Sequence, residues 1–127
     1  MPDYTRKTLV LVATTEDLLN KLRDALSDTN VALLHVQNET EAINLLERLR
    51  SEITLAIIQL ELPGTWDLVG QLTRPPRKPL KVIATTSQYP AKVLAKVSEI
   101  VDVAVPAAIP PEEWRKTVET VLVSIDV

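Results

Sequence analysis

Residues Ile53–Gly64 read ITLAIIQLELPG. Leu55, Ala56, Ile57, Ile58 and Leu60 form an apolar run interrupted by Gln59, and the run stops at Leu62-Pro63-Gly64. A short apolar run ending in Pro-Gly reads as a strand buried on both faces that stops at a loop. In an open parallel sheet, ligands and reacting groups gather just outside the carboxyl ends of the strands. Gln59 stands at that end, and a carboxamide is neither a nucleophile nor a charge.

The flanks repeat the pattern. Upstream, Thr8–Ala13 (TLVLVA) is a continuous apolar run, a central strand. Thr14 and Thr15 offer an N-cap with Glu16 and Asp17 in the first turn, where carboxylates favour the helix dipole. Leu18, Leu19, Leu22, Ala25 and Leu26 then keep helical spacing as far as Asp28. Val31–Val36 is a second strand. Asn38-Glu39-Thr40-Glu41 resembles a capping box before the stripe Ala42, Leu45, Leu46, Leu49. Downstream, Trp66–Thr73 forms a short helix weakened by Gly70. The basic, proline-rich stretch Arg74–Lys81 is a stiff, solvated connection. Leu80–Thr85 is strand four, and Pro90 lies in the first turn of a helix with Val93, Leu94 and Val97 inward. Val101–Val105 is strand five. Pro110-Pro111 opens a last helix, with Glu112 and Glu113 at its start and Trp114, Val118, Val121, Leu122 and Ile125 at helical spacing.

Five strands alternating with five helices predict an α/β fold with a parallel sheet between helical layers. Right-handed crossovers and the 127-residue length point to one flavodoxin-like domain over residues 1–127, strand order 2-1-3-4-5.

Composition narrows the function. Apolar residues make up 46% of the chain and charged residues 24%, so it has the makings of a packed core. No apolar run approaches the length of a membrane span, and Leu9–Ala13 is too short for a secretory core; a cytoplasmic location with no membrane partner is expected. The absence of cysteine removes disulfides, thiolate chemistry and zinc–thiolate sites. A net charge of −3 argues against nucleic acid as the main partner. With Gly64 and Gly70 the only glycines, there is no Gly-rich phosphate cradle.

Taken together, LVATTEDLLNKL after the first strand, LELPG after the third, VIATTS at the fourth and PPEEW at the last helix resemble the response-regulator receiver domain, the CheY-like module of two-component signalling and phosphorelays. The resemblance covers nearly the whole chain and implies five chemical groups. An acidic pair after strand one would hold Mg²⁺, and an aspartate at the end of strand three would accept the phosphoryl group. A Ser or Thr after strand four and a Lys after strand five would contact the phosphoryl oxygens. The acidic pair falls on Ala13 and Thr14, the phosphoacceptor on Gln59, the hydroxyl on Thr86 and the lysine on Ala107; the family's switch aromatic falls on Ala104. Only Thr86 matches. A neutral carboxamide does not attack phosphorus as a carboxylate does. Ala13 offers Mg²⁺ no ligand, and without the lysine no fixed cation balances developing charge. The resemblance is therefore to a degenerate pseudo-receiver, with no catalytic residue, metal or cofactor expected.

Individual residues carry bland readings beside functional ones. Glu16, Asp17 and Glu61 read as helix-start charges and an exposed loop acid rather than a rebuilt cation site. Thr86 reads as a hydroxyl tied to backbone rather than an anion ligand. Gln59 either hydrogen-bonds Thr14 or Thr86 or is a polar filler. His35, on an edge strand, reads as a surface histidine. Trp66 either lids the vestigial pocket or packs on the third helix, and Trp114 packs in the core.

The expected function is a signalling module working through protein–protein contact. A partner or second copy would meet the fourth helix, fifth strand and fifth helix (Pro90–Ser124), a face kept smooth by Ala104, Ala107 and Ala108. A rival is a flavodoxin-like small-molecule or anion-binding domain with Thr14, Thr15, Thr85, Thr86 and Ser87 lining a hydroxyl-rich pocket. A third is an active receiver built on Glu61 or Asp102, neither of which has an acidic pair to work with.

Overall fold

The computed structural model describes residues 8–49, 52–73 and 80–125. Strands and helices alternate as β1 (Thr8–Ala13), α1 (Glu16–Ala25), β2 (Val31–Val36), α2 (Glu39–Leu49), β3 (Ile53–Gln59), α3 (Thr65–Thr73), β4 (Lys81–Thr86), α4 (Ala91–Val97), β5 (Val103–Pro106) and α5 (Pro111–Ile125). The strands pair in parallel in the order β2-β1-β3-β4-β5, the three-layer topology expected from the apolar pattern.

The continuous apolar strands follow from burial on both faces. Along β1, Val10 and Val12 pack with Leu18 and Leu22 of α1 and Trp114 and Val118 of α5. Leu11 and Ala13 face the other way, toward Ala42 and Leu46 of α2, Leu68 and Leu72 of α3 and Val97 of α4. β3 and β4 alternate likewise: Leu55, Ile57 and Ile83 lie on the α1/α5 face, and Ala56, Ile58, Val82 and Ala84 on the α2–α4 face. Each fully buried branched side chain contributes about 1.5–3 kcal/mol, so the central strands anchor the domain. Trp114 is fully buried, as its position in the stripe predicts, and its Nε1–H donates to the Ala107 carbonyl at 3.3 Å.

Several boundaries differ from the sequence reading. β5 starts at Val103, two residues later than expected. The Asp102 carboxylate takes the Val82 N–H at 2.8 Å, a side chain replacing a strand carbonyl at the start of the β4–β5 pairing. Pro90 is the N-cap of α4 rather than part of its first turn. Helix α1 ends at Ala25, because Leu26 departs from helical backbone. The capping box of α2 is displaced: Asn38 Oδ1 accepts the Glu41 N–H, but Glu41 reaches back to the Gln37 N–H, one residue earlier than the standard box. The Arg74–Pro79 part of the basic connection lies outside the described residues, as do the side chains of Ser124 and Ile125.

The turn that ends the opening stretch depends on Gly64. Its φ of +76° suits glycine, and an added Cβ would come within 2.7 Å of the Glu39 Cβ. Gly70, inside α3, has open space around it. Gly64→Ala is therefore expected to lower unfolding free energy by about 1–3 kcal/mol. Gly70→Ala should raise it by up to about 1 kcal/mol. Urea denaturation of both variants checks the pair; a neutral Gly64→Ala contradicts the account of the turn.

Candidate functional site

The carboxyl ends of β1, β3, β4 and β5 converge on one edge of the sheet, which is where the sequence placed the candidate residues. Thr15 caps α1: its Oγ1 accepts the Leu18 N–H at 3.4 Å. Its own N–H and hydroxyl both donate to Gln59 Oε1, at 2.9 and 3.2 Å. Gln59, almost wholly buried, donates through Nε2 to Glu61 Oε1 at 3.2 Å.

Gln59 thus holds Thr15 and Glu61, and is neither a polar filler nor bonded to Thr14 or Thr86, the two alternatives the sequence left open. Strand alternation gives the reason for Thr86. Gln59 follows Ile57 on the α1/α5 face, whereas Thr86 follows Ala84 on the α2–α4 face. Thr15 is the residue whose N–H and hydroxyl reach the end of β3.

Glu61, just past β3, is the centre of the network. Thr86 Oγ1 donates to Glu61 Oε2, and the Gln88 N–H reaches the same oxygen at 3.3 Å. The Ser87 N–H reaches Oε1 at 3.1 Å, with the Ser87 hydroxyl at 3.5 Å. Thr86 Oγ1 in turn accepts the N–H groups of Gln88 and Tyr89, at 3.2 and 3.0 Å. Glu61 is therefore not the exposed loop acid the sequence suggested, and Thr86 serves both the following backbone and a carboxylate. Burial by itself pushes the Glu61 carboxyl up. Hydrogen bonds from Thr86, Ser87, Gln59 and Gln88 outweigh that and hold it below the ordinary glutamate value.

The other positions are filled by packing. Ala13 and Thr14 are fully buried. The Thr14 carbonyl lies 2.8 Å from His35 Nε2, which must carry the proton because a carbonyl only accepts. His35 is thus half-buried and tied to a strand end rather than a free surface side chain. Ala107 is buried on the α1/α5 face, so it does not contribute to a smooth α4–β5–α5 surface as expected. Its N–H donates to the Thr86 carbonyl at 2.9 Å. Lys21 Nζ, from α1, donates to the carbonyls of Ala107 and Ile109 at 3.1 and 3.3 Å. Ala104 is half-buried against the α2–α4 core. Trp66, 44% exposed, meets Tyr89 edge-on with ring centroids 5.8 Å apart, linking the start of α3 to the β4–α4 loop.

A divalent cation and a phosphoryl group do not fit this donor set. Ala13 carries no ligand atom, Gln59 has both amide atoms engaged, and the Glu61 carboxylate is already surrounded by N–H and O–H donors. Glu16 and Asp17 are exposed in the first turn of α1. Among the described residues, no three His, Cys, Asp or Glu side chains group to hold a metal ion. Asp102 precedes β5, at the opposite end of the sheet, where it also pairs with Lys81 at 3.6 Å. The hydroxyls proposed for a small-molecule pocket are divided as well. The side-chain hydroxyls of Thr14 and Thr85 are buried and, among the described residues, without hydrogen-bond partners, while Thr86 follows Ala84 on the opposite face.

No protein-family profile matches the chain, and no curated protein matches its sequence. Solved structures do match its fold. The signal receiver domain of a LuxO repressor protein from Vibrio parahaemolyticus is 20% identical, with a TM-score of 0.76 over 91% of this chain and 88% of that one. A phosphorylated cyanobacterial phytochrome response regulator, RcpA, is 12% identical, with a TM-score of 0.73 over 91% of each chain. An orphan response regulator of H. pylori is 9% identical, with a TM-score of 0.74 over 91% of this chain and 98% of that one. At these identities the similarity is one of fold.

The sequence singled out Thr15 as a helix cap and Glu61 as a loop acid but not their bonds to Gln59 and the β4–α4 loop, and it gave no sign of Lys21. The available signal for Glu61 is its place in the turn just past β3, at the edge where the strand ends gather. The depressed Glu61 carboxyl has a pH consequence. Its folded-state value lies below the unfolded one, so its contribution to stability is complete above the unfolded glutamate value and disappears as pH falls through the folded value. A carboxyl-carbon NMR titration is expected to place Glu61 below free glutamate, with the Ser87 and Gln88 amides shifting at the same midpoint. A midpoint above free glutamate contradicts the hydrogen-bond account.

Proposed function

We propose that the chain is a response-regulator-like module of two-component signalling, a pseudo-receiver that acts through protein–protein contact without phosphorylation. The carrying observation is Gln59: an amide ends β3 in the phosphoacceptor position, with its oxygen on Thr15 and its nitrogen on Glu61. The receiver-domain and response-regulator identities of the similar folds support the class. Ala13 and Thr14 in place of an acidic pair, and Ala107 in place of the lysine, support the loss of phosphoryl chemistry. The module is proposed to work in the cytoplasm without a cofactor.

The contact face proposed is α4, β5 and α5, meeting a partner or a second copy. Ala104 leaves β5 without a large side chain able to swing, so the face is presented in one form. Its exposed side chains include Lys92 and Lys96 on α4, Ile100 after it, and Glu112, Glu113 and Glu119 on α5.

Incubation with acetyl phosphate and Mg²⁺ is expected to leave the intact mass and the amide NMR spectrum unchanged. Gln59→Asp alone is expected to stay unphosphorylated, because the metal ligands are still missing. A phosphoryl adduct on the natural chain overturns the proposal. An adduct on the single variant shows that the residues present can hold the metal.

A further inference from the structure

The loss of phosphorylation groups does not by itself explain why a carboxylate sits where donors from the end of β3 and from the β4–α4 loop meet. We propose that Glu61 is a resident anion that latches the β4–α4 loop to the β3–α3 turn and holds this edge in one state. The proposal deepens the phosphorylation-independent reading and rests on it: the chain supplies its own fixed regulation at the same site.

Among the described residues, every group that hydrogen-bonds this carboxylate is a donor. Oε1 receives the Gln59 amide and the Ser87 N–H and hydroxyl; Oε2 receives the Thr86 hydroxyl and the Gln88 N–H. An ionised carboxylate is an acceptor on both oxygens, so its charge matches this surround. The partners come from separated parts of the chain, Glu61 lying 25 residues from Thr86 and 27 from Gln88. The bonds therefore join two loops rather than stiffening one turn.

The latch also has reach. Thr86 accepts the Tyr89 N–H, and the Tyr89 ring meets Trp66 of α3. In the other direction Gln59 passes the contact to Thr15 and the first turn of α1. An external oxyanion would find these donors already engaged.

The test is amide hydrogen exchange and ¹H–¹⁵N NMR on the whole, unmodified chain. In Glu61→Ala the Ser87, Gln88 and Tyr89 amides are expected to exchange about tenfold faster or more. The Trp66 indole resonance should shift while that of buried Trp114 stays in place. Glu61→Gln, similar in shape but uncharged, should give intermediate exchange, and it carries the test if the alanine variant loses its dispersed spectrum. Wild-type shifts and exchange in a folded variant overturn the latch. A phosphoryl adduct on the natural chain defeats the functional reading instead, and mass spectrometry detects it independently of these readouts.

Discussion

One carboxylate, Glu61, accepts hydrogen bonds from the end of β3 and from the β4–α4 loop at the carboxyl edge of this sheet. A backbone N–H removed from water must find an acceptor or cost free energy. The exposed β4–α4 loop presents the Ser87 and Gln88 N–H groups beside the buried Thr86 hydroxyl, and Glu61 accepts from all three. Gln59 joins this arrangement to the cap of α1. The network crosses three segments of chain and uses side chains that read separately as ordinary polar residues.

The fold was legible because burial on both faces leaves a plain mark. TLVLVA and LAII are continuous apolar runs where a half-buried strand would alternate, and they were read correctly as central strands. The limits of β5 were harder to read. Val101 and Asp102 continue its pattern, yet the Asp102 side chain occupies the position where strand pairing would begin. A side-chain acceptor replacing a carbonyl leaves no trace in hydropathy.

The site was legible at the level of position and not of wiring. Ala13, Thr14, Gln59, Thr86 and Ala107 were identified by what a receiver would need, and that comparison asks only whether a family residue is present. Glu61 entered only as a candidate cation ligand or an alternative acid, not as the acceptor for the β4–α4 loop. Choosing Thr15 over Thr14 as the partner of Gln59 needs the geometry of the strand-to-helix turn, which one sequence does not supply. Lys21 shows the same limit: it reaches the carbonyls of Ala107 and Ile109 across a separation of 86 and 88 residues. Ala107, meanwhile, turned out to line the core under Trp114 rather than the outer face.

An edge held in this way should not switch. A fold that responds to a signal needs two arrangements within a few kcal/mol of each other. The proposed latch, running from Thr15 through Gln59 and Glu61 to Thr86 and Tyr89, would favour one. Relaxation dispersion on the backbone amides of Gln59–Glu61 and Thr86–Tyr89 measures this directly, since it detects exchange on the microsecond-to-millisecond scale. Flat profiles across both segments are the predicted result; a shared exchange process linking them would contradict a single-state edge.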